Sequence, residues 1–198
     1  KGASSRSLRE QPFSSVPAMQ RAFAFKQSYM TQLLRTKLLN NKTVPKIIKD
    51  VNELKERPIE ELLKDKVKPY IGRTQKELVH TFDIKSTAKN LNELIITKIF
   101  NADTKLSQTD EFLKANIAPK TIRLRQNNTI KEHMSFQTFK FNEIVHEDWY
   151  ESKVREMFES KKFMFIVFKY NFNDDLVFKG IKFFNVPSID LDNHIKDT

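Results

Sequence analysis

The chain contains no cysteine among its 198 residues. Disulfide frameworks, thiolate nucleophiles and thiolate zinc sites are thereby excluded, and the absence fits a reducing cytoplasm. Glycine is almost as scarce, at three residues, so no glycine-rich loop is available to cradle a nucleotide phosphate. The four histidines, His80, His133, His146 and His194, stand too far apart along the chain to form a paired metal motif. There is also no apolar run approaching the ~20 residues that span a bilayer, and no basic-then-apolar leader opens the chain. A soluble protein with no membrane partner is expected.

What the chain has in excess is positive charge. Lys and Arg number 35 against 25 Asp and Glu, a formal net charge of +10, and the pI is near 9.6. That balance points to a polyanionic partner, nucleic acid first. The excess is uneven: residues 1–50 carry ten basic side chains against Glu10 and Asp50. From Glu143 to Glu159 six acids face only Lys153 and Arg155, so this segment is expected to turn away from a polyanion. With 39% hydrophobic residues, the length suits one buried core, and a single domain over 1–198 is expected. The 17 phenylalanines fall mostly in apolar stretches and read as core packing rather than as base-stacking platforms.

Helices are expected first and strands later. Residues 1–20, rich in Ser, Pro and Arg and without sustained periodicity, read as an extended basic arm. The alternation in "RAFAFK" predicts a short strand, and Ser28 is placed to cap a helix turning Tyr29, Leu33, Leu34 and Leu38 inward. A helix over 51–65 is expected to break or restart at Pro58. Thr74 and Glu77 form a capping box opening another, tied to the core by Val79 and Phe82. Leu91, Leu94, Ile95 and Ile99 recur at helical spacing. From about residue 118 the period becomes two, which predicts a strand carrying Arg123 and Arg125 outward. "QNNTIKE" is expected to turn this strand into a hairpin with "MSFQTFKF". An amphipathic helix then precedes "FMFIVFKY", the pattern of a central strand buried on both faces, and "LVFKGIKFF" supplies another strand.

The stretch "EFLKANIAPKTIRL" carries the chemistry. An acid ahead of a strand, followed by a lysine on that strand, is the frame on which carboxylates converge to hold Mg²⁺ for phosphodiester cleavage. Here the strand reads Ala118-Pro119-Lys120 where a second carboxylate is needed. Taken alone the pattern is nonspecific.

"IAPKTIRLRQNNTIKEHMSF" followed by "KFNEIVHEDWYESKVREMFESKKFMFIVFK" resembles the MutH-like group of the PD-(D/E)xK endonucleases. "REQPFSSVPAMQRAFAFKQSYMTQLL" is similar to the segment beginning the C-terminal half of GATC-cutting type II restriction enzymes of that group. The resemblance implies a mixed α/β (α+β) restriction-endonuclease fold with a central mixed sheet flanked by helices. Carried over position by position, the family's first aspartate falls at Glu111, its second ligand at Ala118 and its lysine at Lys120. A further helix glutamate falls at Ile96. The resemblance thus implies a degenerate metal site with no catalytic residue and no cofactor in this domain, Mg²⁺ belonging to the catalytic domain of the parent enzyme.

What it implies for function is a non-catalytic effector domain that binds a second GATC site in double-stranded DNA and activates the N-terminal catalytic domain of the same chain, in the bacterial cytoplasm, with a DNA-dependent dimer as a further partner. Lys120, Arg123, Arg125, Lys131, Arg21 and Lys26 are the expected phosphate contacts. Arg6 and Arg9 are expected to follow the backbone or enter a groove, and Ser28 to cap its helix or bind a phosphate. The resemblance implies a further segment past "FKGIKFFNVPSIDLD" that helps read base edges, and the residues conferring GATC preference are not named by this sequence. Two other readings stay open: an active nuclease drawing ligands from Asp83, Asp103 or Asp110, and a structural or dimerisation module with an incidental basic surface.

Overall fold

The computed structural model describes residues 8–11, 14–19, 24–38, 44–85 and 90–196. The expected arm is not featureless. β1 (Leu8–Gln11) and β2 (Ser14–Met19) pair antiparallel, Leu8 against Met19. Backbone ladder bonds hold this ribbon and need no apolar alternation, so composition gave no sign of it. Pro17 is tolerated because both strands of a ribbon are edges. Ala24–Lys26, by contrast, form no strand, and residues 21–23 lie outside the described residues.

α1 (Gln27–Lys37) starts one residue before Ser28, and no side chain caps it. Its orientation also departs from expectation. Gln32 is buried, while Tyr29, Leu34 and Leu38 are exposed and Leu33 is half-buried. The reason is polar: Gln32 donates to Asp110 and Ser28 to the Lys114 carbonyl, which turns the polar side of the helix to the body.

The expected break at Pro58 is present. α2 (Glu53–Glu56) ends at Arg57, and Pro58 precedes α3 (Ile59–Val67), where its missing N–H costs nothing. α4 (Gln75–Thr81) opens with the Thr74–Glu77 capping box. α5 (Leu91–Ile99) buries Ile95, Ile96 and Ile99. After α6 (Asp110–Ala115) the chain turns at Asn116, whose φ of 54° and ψ of 45° are the left-handed pair that asparagine tolerates.

That turn feeds β3 (Ile117–Leu124) directly into a three-stranded sheet, order β3-β4-β5, with β4 (Lys162–Tyr170) central and β5 (Leu176–Asn185) beyond it. β3 runs parallel to β4, in unbroken register from Ile117 opposite Lys162 to Leu124 opposite Lys169; β4 and β5 are antiparallel. The predicted hairpin partner of β3 is therefore wrong. Residues 125–131 do turn back, and Lys131 N–H reaches the Arg123 carbonyl at 2.8 Å, but residues 133–140 form no strand. Phe136 instead packs edge-on against Phe158 and Phe163, drawing the chain across the sheet. A parallel pair needs a long crossover. It is supplied by this segment, by α7 (Phe141–Ile144) and by α8 (Lys153–Ser160), which Ser152 caps.

The core lies on one face of the sheet. Ile117, Met164, Ile166, Phe168 and Phe178 pack there against Leu62, Leu63, Leu78, Ile95 and Ile96 of α3, α4 and α5. Across the other face Phe163, Phe165 and Phe184 stack in a row. The abundant phenylalanine thus serves both faces. α9 (Ser188–Asp190) and a following π turn (Leu191–Ile195) close the described chain, with Asp192 accepting from the Trp149 indole at 3.0 Å.

The capping box is the most local of these features, and its removal is correspondingly local. Thr74→Ala is expected to lower unfolding free energy by about 1 kcal/mol, measured as a shift of the urea midpoint at unchanged slope.

Candidate nucleic-acid interface

An open cleft of about 910 Å³ lies between α1, the start of α5, the start of β3 and α8. Asn116 builds its floor: its amide donates to the Ser160 carbonyl and hydroxyl at 3.2 Å, and its carbonyl accepts from Lys162 N–H at 3.1 Å. These bonds align the first residues of β3 and β4. Ala118, Pro119 and Lys120 consequently line the cleft with Phe163 beneath them.

Lys26, Arg35, Lys105, Lys120 and Lys161 converge on this space, with Glu93 and Glu156 the acids among its lining residues. Lys120 is half-buried, donates to the Ser135 carbonyl at 2.5 Å and sits 5.0 Å above the Phe136 ring. Burial, and then the neighbouring Lys161, hold its ammonium below the ordinary lysine range, against the pull of Glu93. Lys26 is lowered likewise, by burial and then by Lys162, and reaches the Ser160 carbonyl at 3.5 Å. Among the described residues Arg35, Lys105 and Lys161 have no ion-pair partner. The cleft is a site of crowded, partly desolvated cations.

The carboxylates sit elsewhere or act otherwise. Glu111 is buried and turned away: its oxygens accept from Ile47 N–H at 3.0 and 3.2 Å and from Ile48 N–H at 2.9 Å. Asp110 is buried between Gln32 at 3.2 Å and Lys114 at 2.7 Å. Asp83 pairs with Lys85 at the surface, and Asp103 is exposed outside the cleft. The alternative ligand set therefore does not converge, and among the described residues no group of three or more His, Asp or Glu side chains is placed to hold a metal ion. The donor set does not fit Mg²⁺.

Ile96 lies fully buried in the core. The helix carboxylate that faces the cleft is Glu93, one turn earlier, which sequence reasoning missed. It is the one acid within α5, and that was the available signal. Burial raises the Glu93 carboxyl above the ordinary glutamate range, opposed by Lys105 and Lys120. The acidic segment also does not turn wholly away, because Glu156 lines the cleft; Glu143 and Glu147 are engaged by Lys140 and Lys153.

Three other sequence-assigned cations, Arg123, Arg125 and Lys131, are not among the residues lining the cleft. Lys120 and Arg123 stand on opposite faces of β3 by alternation. Arg123 is paired with Glu132. Arg125 secures its own turn, donating to the Ile130 carbonyl at 3.0 Å. Lys131 donates to the Tyr170 hydroxyl at 2.8 Å. These three gather at the far end of the sheet. Ser28 bonds the Lys114 carbonyl at 3.3 Å and also lines the cleft. Arg6 and Arg21 lie outside the described residues, as does the side chain of Arg9, whose backbone belongs to β1. Among the described residues no helix is long and apolar enough to cross a membrane.

Because Glu111 satisfies two buried backbone donors, Glu111→Ala is expected to cost roughly 2–5 kcal/mol in chemical denaturation. Glu111→Gln, which keeps one acceptor oxygen, is expected to cost less.

No family model matches the chain. Over 208 aligned residues, covering 99% of this chain, it is 37% identical to the type II restriction enzyme Sau3AI of Staphylococcus aureus. The chain spans 42% of that enzyme's length. Similarity extending along the whole chain shows the protein to be a homologue of a type II restriction enzyme.

Proposed function

We propose that this chain is a non-catalytic double-stranded DNA-binding domain, 1–198, that serves a type II restriction endonuclease as an effector. On this reading it takes a second copy of GATC and favours the active state of a catalytic domain in the same polypeptide. The carrying observation is the cleft itself, where Ala118 stands beside Lys120 under a ring of cations that needs no metal to attract phosphate. A carboxylate at 118 would repel phosphate unless Mg²⁺ lay between them; alanine removes that requirement. Homology to a restriction enzyme supports DNA as the polyanion. The reading keeps Mg²⁺ for the catalytic domain, makes the cytoplasm the site of action and allows a DNA-dependent dimer.

Fluorescence anisotropy with labelled GATC and scrambled duplexes across a salt series in EDTA tests the reading. Metal-independent binding, tighter for GATC, is expected. Lys105→Ala with Lys161→Ala is expected to flatten the log–log salt slope by roughly 2, since each lost phosphate contact removes about 0.9. An unchanged slope sinks the cleft assignment. Mg²⁺-dependent cleavage by the purified chain would return the active-nuclease reading.

Glu93 supplies a signed pH test. Its carboxyl is raised, so it takes up a proton at higher pH than an ordinary glutamate and then stops repelling phosphate. Wild-type affinity should rise as pH falls through the raised value. Glu93→Gln should bind more tightly near neutrality, and its advantage should vanish at the acid end of the same titration. A constant advantage at every pH would show that Glu93 is not titrating against the ligand. The stability sign is parallel: the raised carboxyl costs folding free energy that appears as pH rises from the unfolded-state value through the folded one.

A further inference from the structure

At the other end of the sheet, opposite the cleft end, Phe172 is 95% exposed. It stands on the turn joining β4 to β5, and that turn is rigidly made. Asn171 N–H bonds the Asp175 carbonyl at 2.9 Å, and the Asn171 side chain accepts from Asn173 and Asp175 N–H at 3.0 and 2.8 Å. Asp174 takes the left-handed conformation, φ 60°, that lets the turn close in so few residues. Gln126 braces this turn against its neighbour by donating to the Asn171 carbonyl at 2.9 Å. An aromatic ring held out on a braced turn contributes nothing to the core and keeps its apolar surface in water.

The surroundings of the ring are basic. Lys169, Lys179, Tyr170 and Gln126 line a small concavity with it. A bulge in β5 brings Lys179 there: Val167 faces Gly180 and Phe168 faces Phe178, leaving Lys179 as the extra residue, and Gly180 absorbs the strain at φ 111°. Arg123, Arg125 and Lys131 stand on the adjoining strand end and turn. Of the nearby acids, Glu132 is taken by Arg123 and Asp175 by Lys76 at 2.7 Å. Asp174 remains. Among the described residues Lys169 and Lys179 have no ion-pair partner, so the ring is flanked by uncommitted positive charge.

An apolar wedge projecting from a basic rim is the arrangement by which proteins push between stacked base pairs while holding the flanking phosphates. We propose that Phe172 is such a wedge, inserting at a base step of duplex DNA while Lys169 and Lys179 take the phosphates beside it. The inference rests on the reading that the chain binds duplex DNA, and adds a second contact to the cleft. Five residue steps along β4 lead from Phe165, opposite Lys120, to Tyr170, a span of roughly 17 Å. That is about five base-pair steps at 3.4 Å each, a separation that one duplex can span.

The test uses duplexes carrying 2-aminopurine at successive positions, whose fluorescence rises on unstacking, read alongside anisotropy for the unsubstituted chain, Phe172→Ala, Phe172→Trp and Lys169→Ala with Lys179→Ala. The unsubstituted chain is expected to brighten the probe at one or a few adjacent positions. Phe172→Ala should abolish that signal and weaken binding about tenfold. Phe172→Trp should retain both. The double lysine variant should lower the salt slope while leaving the position of the signal unchanged. Binding without brightening, with Phe172→Ala as tight as the unsubstituted chain, overturns the wedge and leaves the cleft reading standing. No duplex binding by the unsubstituted chain overturns both. A Phe172→Ala variant that loses self-association in sedimentation while its DNA affinity is unchanged assigns the ring to a protein contact and also overturns the wedge. So exposed a ring can be removed without unfolding the chain.

Discussion

The cleft depends on one buried carboxylate. Glu111 gathers the N–H groups of Ile47 and Ile48 and so ties the segment entering α2 to the helix that leads into β3. Two buried donors left unpaired would cost several kcal/mol together. Ile47 and Ile48 are themselves core residues, so the carboxylate fixes where the core ends and α6 begins. Asp110, beside it, binds α1 through Gln32 and is neutralised by Lys114. The two acids of this turn are thus occupied in building the cleft wall. Neither carboxylate is free to bring charge into the space that wall encloses.

Once those carboxylates are committed, the balance of the cleft follows. Lys26, Arg35, Lys105, Lys120 and Lys161 outnumber Glu93 and Glu156, and the lowered Lys26 and Lys120 record the cost of crowding cations where water is partly excluded. A polyanion offsets that cost. On the DNA-binding reading, a phosphate beside these lysines favours their charged form, which burial first and a neighbouring lysine second disfavour in the empty cleft. Glu93 moderates this. Its raised carboxyl is half-buried between Lys105 and Lys120, and it relieves some of their repulsion while itself opposing phosphate.

How much of this the sequence disclosed depended on the range of the interaction that decides each feature. The Thr74–Glu77 box, the restart at Pro58, the apolar spacing of α5 and the central run of β4 are decided within a few residues, and all were legible. The pairing of β3 was not. Its partner β4 lies across a crossover, and the alternation of "MSFQTFKF" mimicked a strand although Phe136 packs on Phe158 and Phe163. The face of α1 was misread because its deciding contact, Gln32 to Asp110, spans 78 positions. In the site, the strand position of Lys120 was readable from spacing. The separation of Lys120 from Arg123 and Arg125 follows from strand alternation and was available; the placement of Glu93 rather than Ile96 over the cleft needed the packing of α5, because the two lie only one turn apart.

For DNA in the cleft to influence a distant domain, it must favour one of two arrangements of something that can move. The sheet is a poor candidate: β4 is paired on both sides and carries Met164, Ile166 and Phe168 in a close-packed core. α1 is a better one. It lines the cleft with Lys26, Thr31, Gln32 and Arg35, yet Ser28 and Gln32 hold it to the body by hydrogen bonds, each worth about 1 kcal/mol net. Leu33 is only half-buried, and Tyr29, Leu34 and Leu38 add little to that hold because they face outward. On the effector reading, phosphate pairing to Lys26 and Arg35 has only those contacts to overcome in shifting the helix, whereas displacing a strand would cost the core. In the effector reading, the signal therefore leaves the cleft through α1.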